Sequence, residues 1–384
     1  MLFLKKLLII MVKKILLLFG LLAILACGND SSSKKEIKND SELHIIYSGK
    51  KAGFINKEGE IIINPQFDQI KKFKNEGHYF NEGLAVVLIG DKWGYVDENG
   101  SYKINPQFDS ANHFFNGLAR VKVGDKYGFI DKEGIFVINP QFEYTFDFSE
   151  GLAVVRIGNK RGYINTKGEI IINPQFEQAF DFNEGLANVE IEGKYGFIDK
   201  SGKFLINPQF DYTSEFSNGI ARVVTSEKNG YINLKGKYII NPQFDYASQF
   251  INGLAVVKNN NTYGYIDTKG SFKINPQFEY AKDFDVSGYA IVRYGVKYGV
   301  IDTKGKYVVN PIYERIKSFE DGMYSVKIGE KYGFIDKEGK MIINPQYKNI
   351  KINFDRGLAL VETEYKNFSY INKKGEVIYS FTVE

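Results

Sequence analysis

From residue 118 the chain alternates. Ala119, Val121 and Val123 fall on one side of an extended segment, and Arg120 and Lys122 on the other. A period of two marks a half-buried strand. Gly124-Asp125 turns the chain. Tyr127 to Asp131 then reads as a second strand, with Tyr127 and Phe129 on one face and Gly128 and Ile130 on the other. Asp131-Lys132-Glu133-Gly134 fits a type I turn closed by a left-handed glycine. Ile135 to Phe142 is apolar on both faces, which predicts a third strand buried between neighbouring layers. Asn139-Pro140 interrupts its pairing, because proline lacks the ladder donor and forces its predecessor to be extended. A loop of about nine residues with a Phe anchor, Phe148, leads to the next such unit.

The unit recurs. All nine prolines follow asparagine, at Pro65, Pro106, Pro140, Pro174, Pro208, Pro242, Pro276, Pro311 and Pro345. Most steps are 34 residues; the first is 41, owing to an insertion near Lys74 to Phe80. Two further markers keep the same period: an aromatic-Gly-aromatic-Ile-Asp/Asn string and a Gly-Leu-Ala string. Nothing beyond the N-terminal region shows sustained helical periodicity. The last copy has Ser369 in place of the glycine and lacks the proline, as expected of a cap.

Lys92-Trp93-Gly94-Tyr95-Val96-Asp97 and Lys331-Tyr332-Gly333-Phe334-Ile335-Asp336, with the downstream Asn-Pro-Gln-Phe and Gly-Leu-Ala elements, resemble the bacterial WG repeat, also called the KWG repeat. The resemblance spans roughly residues 43 to 384. The signature tryptophan survives only at Trp93. Tyrosine stands there at Tyr127, Tyr195, Tyr263, Tyr298 and Tyr332, whereas Ala52, Arg161 and Asn229 depart from the pattern. About function the resemblance implies little beyond a secreted or surface repeat protein with a binding role.

The N-terminus carries different information. Lys13 and Lys14 precede an apolar run from Ile15 to Ala26, and Cys27 follows. A basic region, a short apolar run and a small residue before the cut describe a secretory signal. Translation starts at Met1 or at Met11. Ile24-Leu25-Ala26-Cys27 resembles a bacterial lipobox, which implies lipidation of Cys27, the chain's one cysteine. Acyl chains there would anchor the protein at about 0.8 kcal/mol per buried methylene. Gly28 to Asp40 is polar and reads as a tether. The expected domains are a signal peptide (1–26), a flexible tether (27–42) and a β-repeat array (43–384).

Cleavage also removes Lys5, Lys6, Lys13 and Lys14, which leaves 46 of the 50 basic residues against 46 acids. A neutral mature chain gives no reason to expect nucleic acid as a partner. Candidate chemistry is sparse. The residue ending the second strand is Asp97, Asp131, Asp199, Asp267, Asp302 or Asp336, but Asn56, Asn165, Asn233 or Asn372 in other copies. A general acid or charged metal ligand would not exchange with an amide; a turn-former would. The acid after Asn-Pro-Gln-Phe exchanges between Asp and Glu and becomes Lys348, which suggests a solvated face. His44, His78 and His113 hold no repeat position and no metal spacing. No catalytic residue, metal site or cofactor is therefore expected. An enzyme would need a site of unrepeated residues, such as Glu76 and His78 in the insertion.

These features predict an all-β fold: a tandem array of about ten 34-residue three-stranded antiparallel meanders. An open superhelical stack is favoured, with a closed propeller-like ring as the alternative, since propellers typically hold four to eight four-stranded blades. The expected function is a non-catalytic scaffold, lipid-anchored to the membrane at the bacterial cell envelope and binding protein partners. The alternative is a glycan or cell-wall binder using exposed aromatics, for which Trp93, Tyr127, Tyr195, Tyr263, Tyr298 and Tyr332 are the candidate ligand-facing residues. Against it stands the packing role that such rings commonly serve.

Overall fold

The computed structural model describes residues 42–73 and 78–383. The leader, Cys27, nearly all of the tether, and Lys74 to Gly77 of the insertion lie outside the described residues. The described residues form ten antiparallel sheets and no helix. In chain order these blades span 44–67, 69–108, 110–142, 144–176, 178–210, 212–244, 246–278, 280–313, 315–347 and 349–382.

Blade 7 shows the plan. Its strands are Tyr246–Ala247, Leu254–Asn259, Thr262–Asp267 and Phe272–Phe278, each paired with the next. The last three are the predicted strands. The two-residue first strand arises from the segment expected to be a loop, so the unit has four strands rather than three. Blade 1 lacks this short strand, and blade 2 adds a two-residue strand, Phe80–Asn81, from the insertion.

The glycine of the aromatic-Gly-aromatic string and the Asn-Pro pair explain each other. Tyr263 pairs with Phe278 and Tyr265 with Ile274, so one residue, Gly264, faces three on the fourth strand, Asn275, Pro276 and Gln277. The fourth strand bulges there. A Cβ on Gly264 would lie 2.6 Å from the Ile274 oxygen and 2.7 Å from the Pro276 nitrogen. Glycine lets the backbones approach, and proline costs no ladder bond at the bulge.

The fourth strand is not buried on both faces, contrary to expectation. It is the edge of its blade. In blade 3, Ile138 and Phe142 are buried, but Ile135 is 64% exposed and Val137 43% exposed. Val137 alternates with Ile138 and so faces away from the core, and Ile135 precedes the strand in the turn.

The blades close into a ten-bladed β-propeller, which overturns the favoured open stack. Each turn glycine between the third and fourth strands packs on a fourth-strand aliphatic of the preceding blade: Gly134 on Ile104, Gly168 on Ile138, Gly270 on Ile240. Gly59 of blade 1 makes the same contact with Ile378 of blade 10. A second series agrees. Tyr163 donates its hydroxyl to the Phe180 carbonyl of the next blade, and Tyr265 to that of Lys282, both at 2.8 Å. Tyr370 of blade 10 donates to Ile45 of blade 1, also at 2.8 Å. Ile46 and Ile55 share a core with Leu358, Leu360 and Tyr370. No strand is exchanged across this seam, so side-chain packing closes the ring. The number of strands and of copies had spoken against a ring. The hidden fourth strand removes the first objection, and repetition of one inter-blade contact until it meets its start removes the second.

Candidate functional site

The regular polar residues hold the frame. Asp131 Oδ1 accepts from the amides of Glu133 (3.1 Å) and Ile135 (2.8 Å), and Asn165 Oδ1 makes the same pair of bonds with Lys167 and Glu169. These are turn-formers, and carboxylate and amide oxygens serve alike. The acid after Asn-Pro-Gln-Phe does more than face solvent. Asp68 accepts from the Lys51 ammonium of blade 1 (2.6 Å) and the Gly90 amide of blade 2 (2.8 Å). It ties neighbouring blades, and the lysine and the amide hold its carboxyl below the usual range. Either carboxylate length reaches, which accounts for the Asp/Glu exchange.

The short first strands and the three residues after them line the centre. One cavity of about 820 Å³ is bordered by residues of blades 2, 8, 9 and 10, and a second of about 500 Å³ by residues of blades 5 to 8. Blades 2 and 8 are not neighbours, so the first cavity lies in the central channel. Here the repeat is irregular. The residue following the short strand is Lys71, Asn112, Phe146, Phe180, Ser214, Ser248, Lys282 and Lys317 in blades 2 to 9. Lysines cluster in blades 8, 9 and 2.

The first cavity is rich in charge. Lys72, Lys282, Arg315, Lys317 and Lys351 border it with Glu320, Asp321 and Asp355. Asp321 is committed to the frame through Lys373 and the Gly357 amide, both at 2.6 Å. Burial and the nearby Asp321 push the Asp355 carboxyl up to about 6, and burial together with Asp355 raises Glu320. Burial, then Arg315 and Lys351, lower the Lys317 ammonium, which donates to the Ile350 carbonyl at 2.6 Å.

The six candidate aromatics sit on third strands, most of them packed against residues of the short strands or those just after them. Trp93, Tyr127, Tyr195, Tyr263 and Tyr298 are half-buried, and Tyr332 is buried. Each has packing partners. Trp93 joins the core of blades 2 and 3, and Lys71 lies 5.7 Å from its ring. Arg120 lies 5.8 Å from the Tyr127 ring. Tyr195 sits between Phe180 and Tyr212. Tyr332 lies beneath Lys317, at 5.3 Å. Tyr246, Tyr263, Tyr280 and Tyr298 form one run with centroids 6.1–6.3 Å apart. Of the candidates, only Tyr298 borders the large cavity.

The histidines are scattered. His44 is buried at the seam 5.4 Å from Tyr370, and His113 is buried with Nε2 3.0 Å from the Lys71 carbonyl. Burial drives both well below the usual histidine range, to about 4. His78 borders the large cavity, and its Nδ1 is buried without a hydrogen-bond partner. Glu76, its proposed companion, lies outside the described residues. Among the described residues no group of three His, Cys, Asp or Glu is placed to hold a metal ion. No described helix is long and apolar enough to cross a membrane.

Sequence reasoning missed the cations and tyrosines of the short strands. Their signal was there as departure from the repeat: Tyr144, Tyr212, Tyr246 and Tyr280 share one position, which is Gln69, Ser110, Gln178, Arg315 or Asn349 elsewhere.

A sequence model of the WG containing repeat matches nine consecutive segments: 53–93, 93–127, 127–160, 162–195, 195–228, 230–263, 263–298, 298–332 and 332–366. No curated protein matches. Among solved structures, a eukaryotic initiation factor is similar at 12% identity and TM-score 0.51, over 76% of this chain and 93% of that one. At that identity the likeness is one of fold alone. The computationally designed Ika8 protein is similar at 10% identity and TM-score 0.38, over 68% and 92% of the two chains. BamB from Moraxella catarrhalis is similar at 10% identity and TM-score 0.37, over 69% and 92%.

Proposed function

We propose, from the premise that this chain belongs to the WG-repeat family, that it is a lipid-anchored, non-catalytic propeller that binds protein partners at its channel wall. The observation that carries this is a division of labour. The periodic polar residues are spent on turns and blade-to-blade ties, as at Asp131 and Asp68. The channel wall varies from blade to blade in charge and size, and partner recognition needs such unrepeated side chains. Concave sites with a few convergent polar groups are the usual places for ligands. The basic, apolar and lipobox-like stretches ending at Cys27 support secretion and anchoring at the bacterial cell envelope.

Two measurements test this. A photoreactive residue at Ser318 on the wall is expected to form protein adducts in living cells, whereas one at Ile171 on the outer edge is not. Adducts at Ile171 alone, or at neither site, overturn the scaffold. Radiolabelled palmitate is expected to enter the wild type and not Cys27→Ser; label retained by the variant overturns the anchor.

A second reading, glycan binding, is favoured by one observation. The run from Tyr246 to Tyr298 offers half-open rings at about 6 Å spacing. Retention on purified wall polymer that is lost in Tyr246→Ala with Tyr280→Ala would support it. Absence of retention by the wild type removes it.

A further inference from the structure

We infer that the large channel cavity is a docking site for an extended acidic segment of a partner protein. The inference rests on the scaffold function proposed above and specifies what that scaffold recognises.

The argument begins with the balance of charge. Among the described residues, five cations border the cavity against three carboxylates. Asp321 is already bound to Lys373 and to the Gly357 amide, and Lys351 to Glu362 at 3.2 Å. Among the described residues, Lys72, Lys282 and Arg315 take part in no salt bridge. The remaining carboxylates are Glu320, which feels Lys72, Lys282 and Lys317, and Asp355, which feels Lys72. Among the described residues, the cavity therefore holds Lys72, Lys282, Arg315 and Lys317 from blades 2, 8 and 9 against only Glu320 and Asp355, an excess of cations. An excess of cations converging on one concave surface attracts an anion more strongly than the same charges spread over a flat one.

The spacing bears on what kind of anion. Lys282, Arg315 and Lys72 come from different blades, so they suit a chain carrying several carboxylates rather than one compact group. The volume, about 820 Å³, lies near the top of the range for small-ligand pockets.

The wall also carries an unsatisfied buried acceptor. Asn353 borders the cavity and is more than nine-tenths buried. Its Nδ2 donates to the Ser318 carbonyl at 2.6 Å, but its Oδ1 has no donor. A buried acceptor left unpaired costs about 1–3 kcal/mol. An acidic peptide brings its carboxylates to the cations. Tyr280 and Tyr298 line the same space and can pack against side-chain stems. The neighbouring cavity has a different character: it carries Glu215 and Asp283 with one cation, Arg222. The attraction for acid is thus local to one arc of the ring.

The test uses the full mature chain and a fluorescein-labelled peptide of alternating glutamate and glycine, followed by anisotropy at low and at moderate salt. Expected results are saturable binding that weakens with salt, no binding of the glutamine counterpart, and a loss of about tenfold or more in Lys282→Gln with Arg315→Gln. Lys167→Gln, on an exposed turn, is expected to bind like the wild type. The inference is overturned by equal binding of the glutamine peptide, by an unaffected double variant, or by binding of polygalacturonate with none of the acidic peptide. The Ser318 photo-adduct separates the two levels. If the double variant still captures the same proteins as the wild type, the acidic segment is refuted and the scaffold stands. If the wild type captures none, the scaffold itself falls.

Discussion

At the crossing of the third and fourth strands one geometry recurs from blade to blade. Gly94, Gly128, Gly162 and their equivalents through Gly333 each lie under an Ile-Asn-Pro or Val-Asn-Pro bulge, with no room for a Cβ. A few residues further on, where the short strand meets the channel, the blades differ in charge and size: Phe146 in one, Ser214 in another, Lys282 in a third. The contrast shows where selection for folding ends. The crossing sets the shape of a blade and the bulge that presents its buried aliphatic to the next turn glycine. The wall carries little of that load, because its side chains are fixed by the strands behind them.

The seam between blades 10 and 1 is an intermediate case. It reuses the frame's contacts, Gly59 on Ile378 and Tyr370 to Ile45. It differs in having no chain crossing from one blade to the next, so a fault there opens the ring rather than loosening one blade.

The largest effect is expected at the crossing. Gly264→Val sets two methyl groups and a Cβ against backbone that cannot move aside. It should destabilise the chain by more than about 3 kcal/mol in denaturant unfolding. A loss below about 1 kcal/mol would mean that the bulge is not a fixed element of the frame.

Next comes acid at the seam. His44 is neutral and buried, with a folded pKa of about 4 against 6.5 for the ordinary group. Between these values the unfolded chain holds the extra proton, so stability falls as pH drops from about 6.5 to 4. The full difference is on the order of 3 kcal/mol. His44→Gln should flatten that part of the stability profile. Superimposable wild-type and variant profiles would show that His44 is not withdrawn from water.

Smaller again is Tyr370→Phe, which leaves the Ile45 carbonyl without its donor and should cost about 1 kcal/mol. Smallest should be the wall: Lys282→Gln with Arg315→Gln should change unfolding free energy by no more than about 0.5 kcal/mol. A large loss there would erase the contrast between frame and wall.

Much of the frame is legible in the sequence. The alternation after residue 118, the glycine between aromatics and the Asp-led turn locate three strands within a residue or two of Ala119–Val123, Lys126–Ile130 and Phe136–Phe142. Tyr144–Thr145 is not legible, because two residues cannot display a period of two. The edge position of the fourth strand is hidden by its composition: Ile135 and Val137 look like core residues, but Ile135 lies in the turn before the strand and Val137 on its outward face. Ring closure is hidden for another reason. It depends on Tyr370 meeting Ile45, 325 residues away, through the same contacts made between adjacent copies. The candidate site was legible only as a negative. Residues that break the repeat could be found by aligning the copies, but their convergence on one cavity needs the ring.

Closure is thus the claim on which the channel, its cavity and the proposed partner depend. Cryo-electron microscopy of the mature chain tests it most directly. The predicted result is a closed ring of ten blades with Tyr370 packed against Ile45. An open arc or superhelix, with blades 1 and 10 apart, would contradict it.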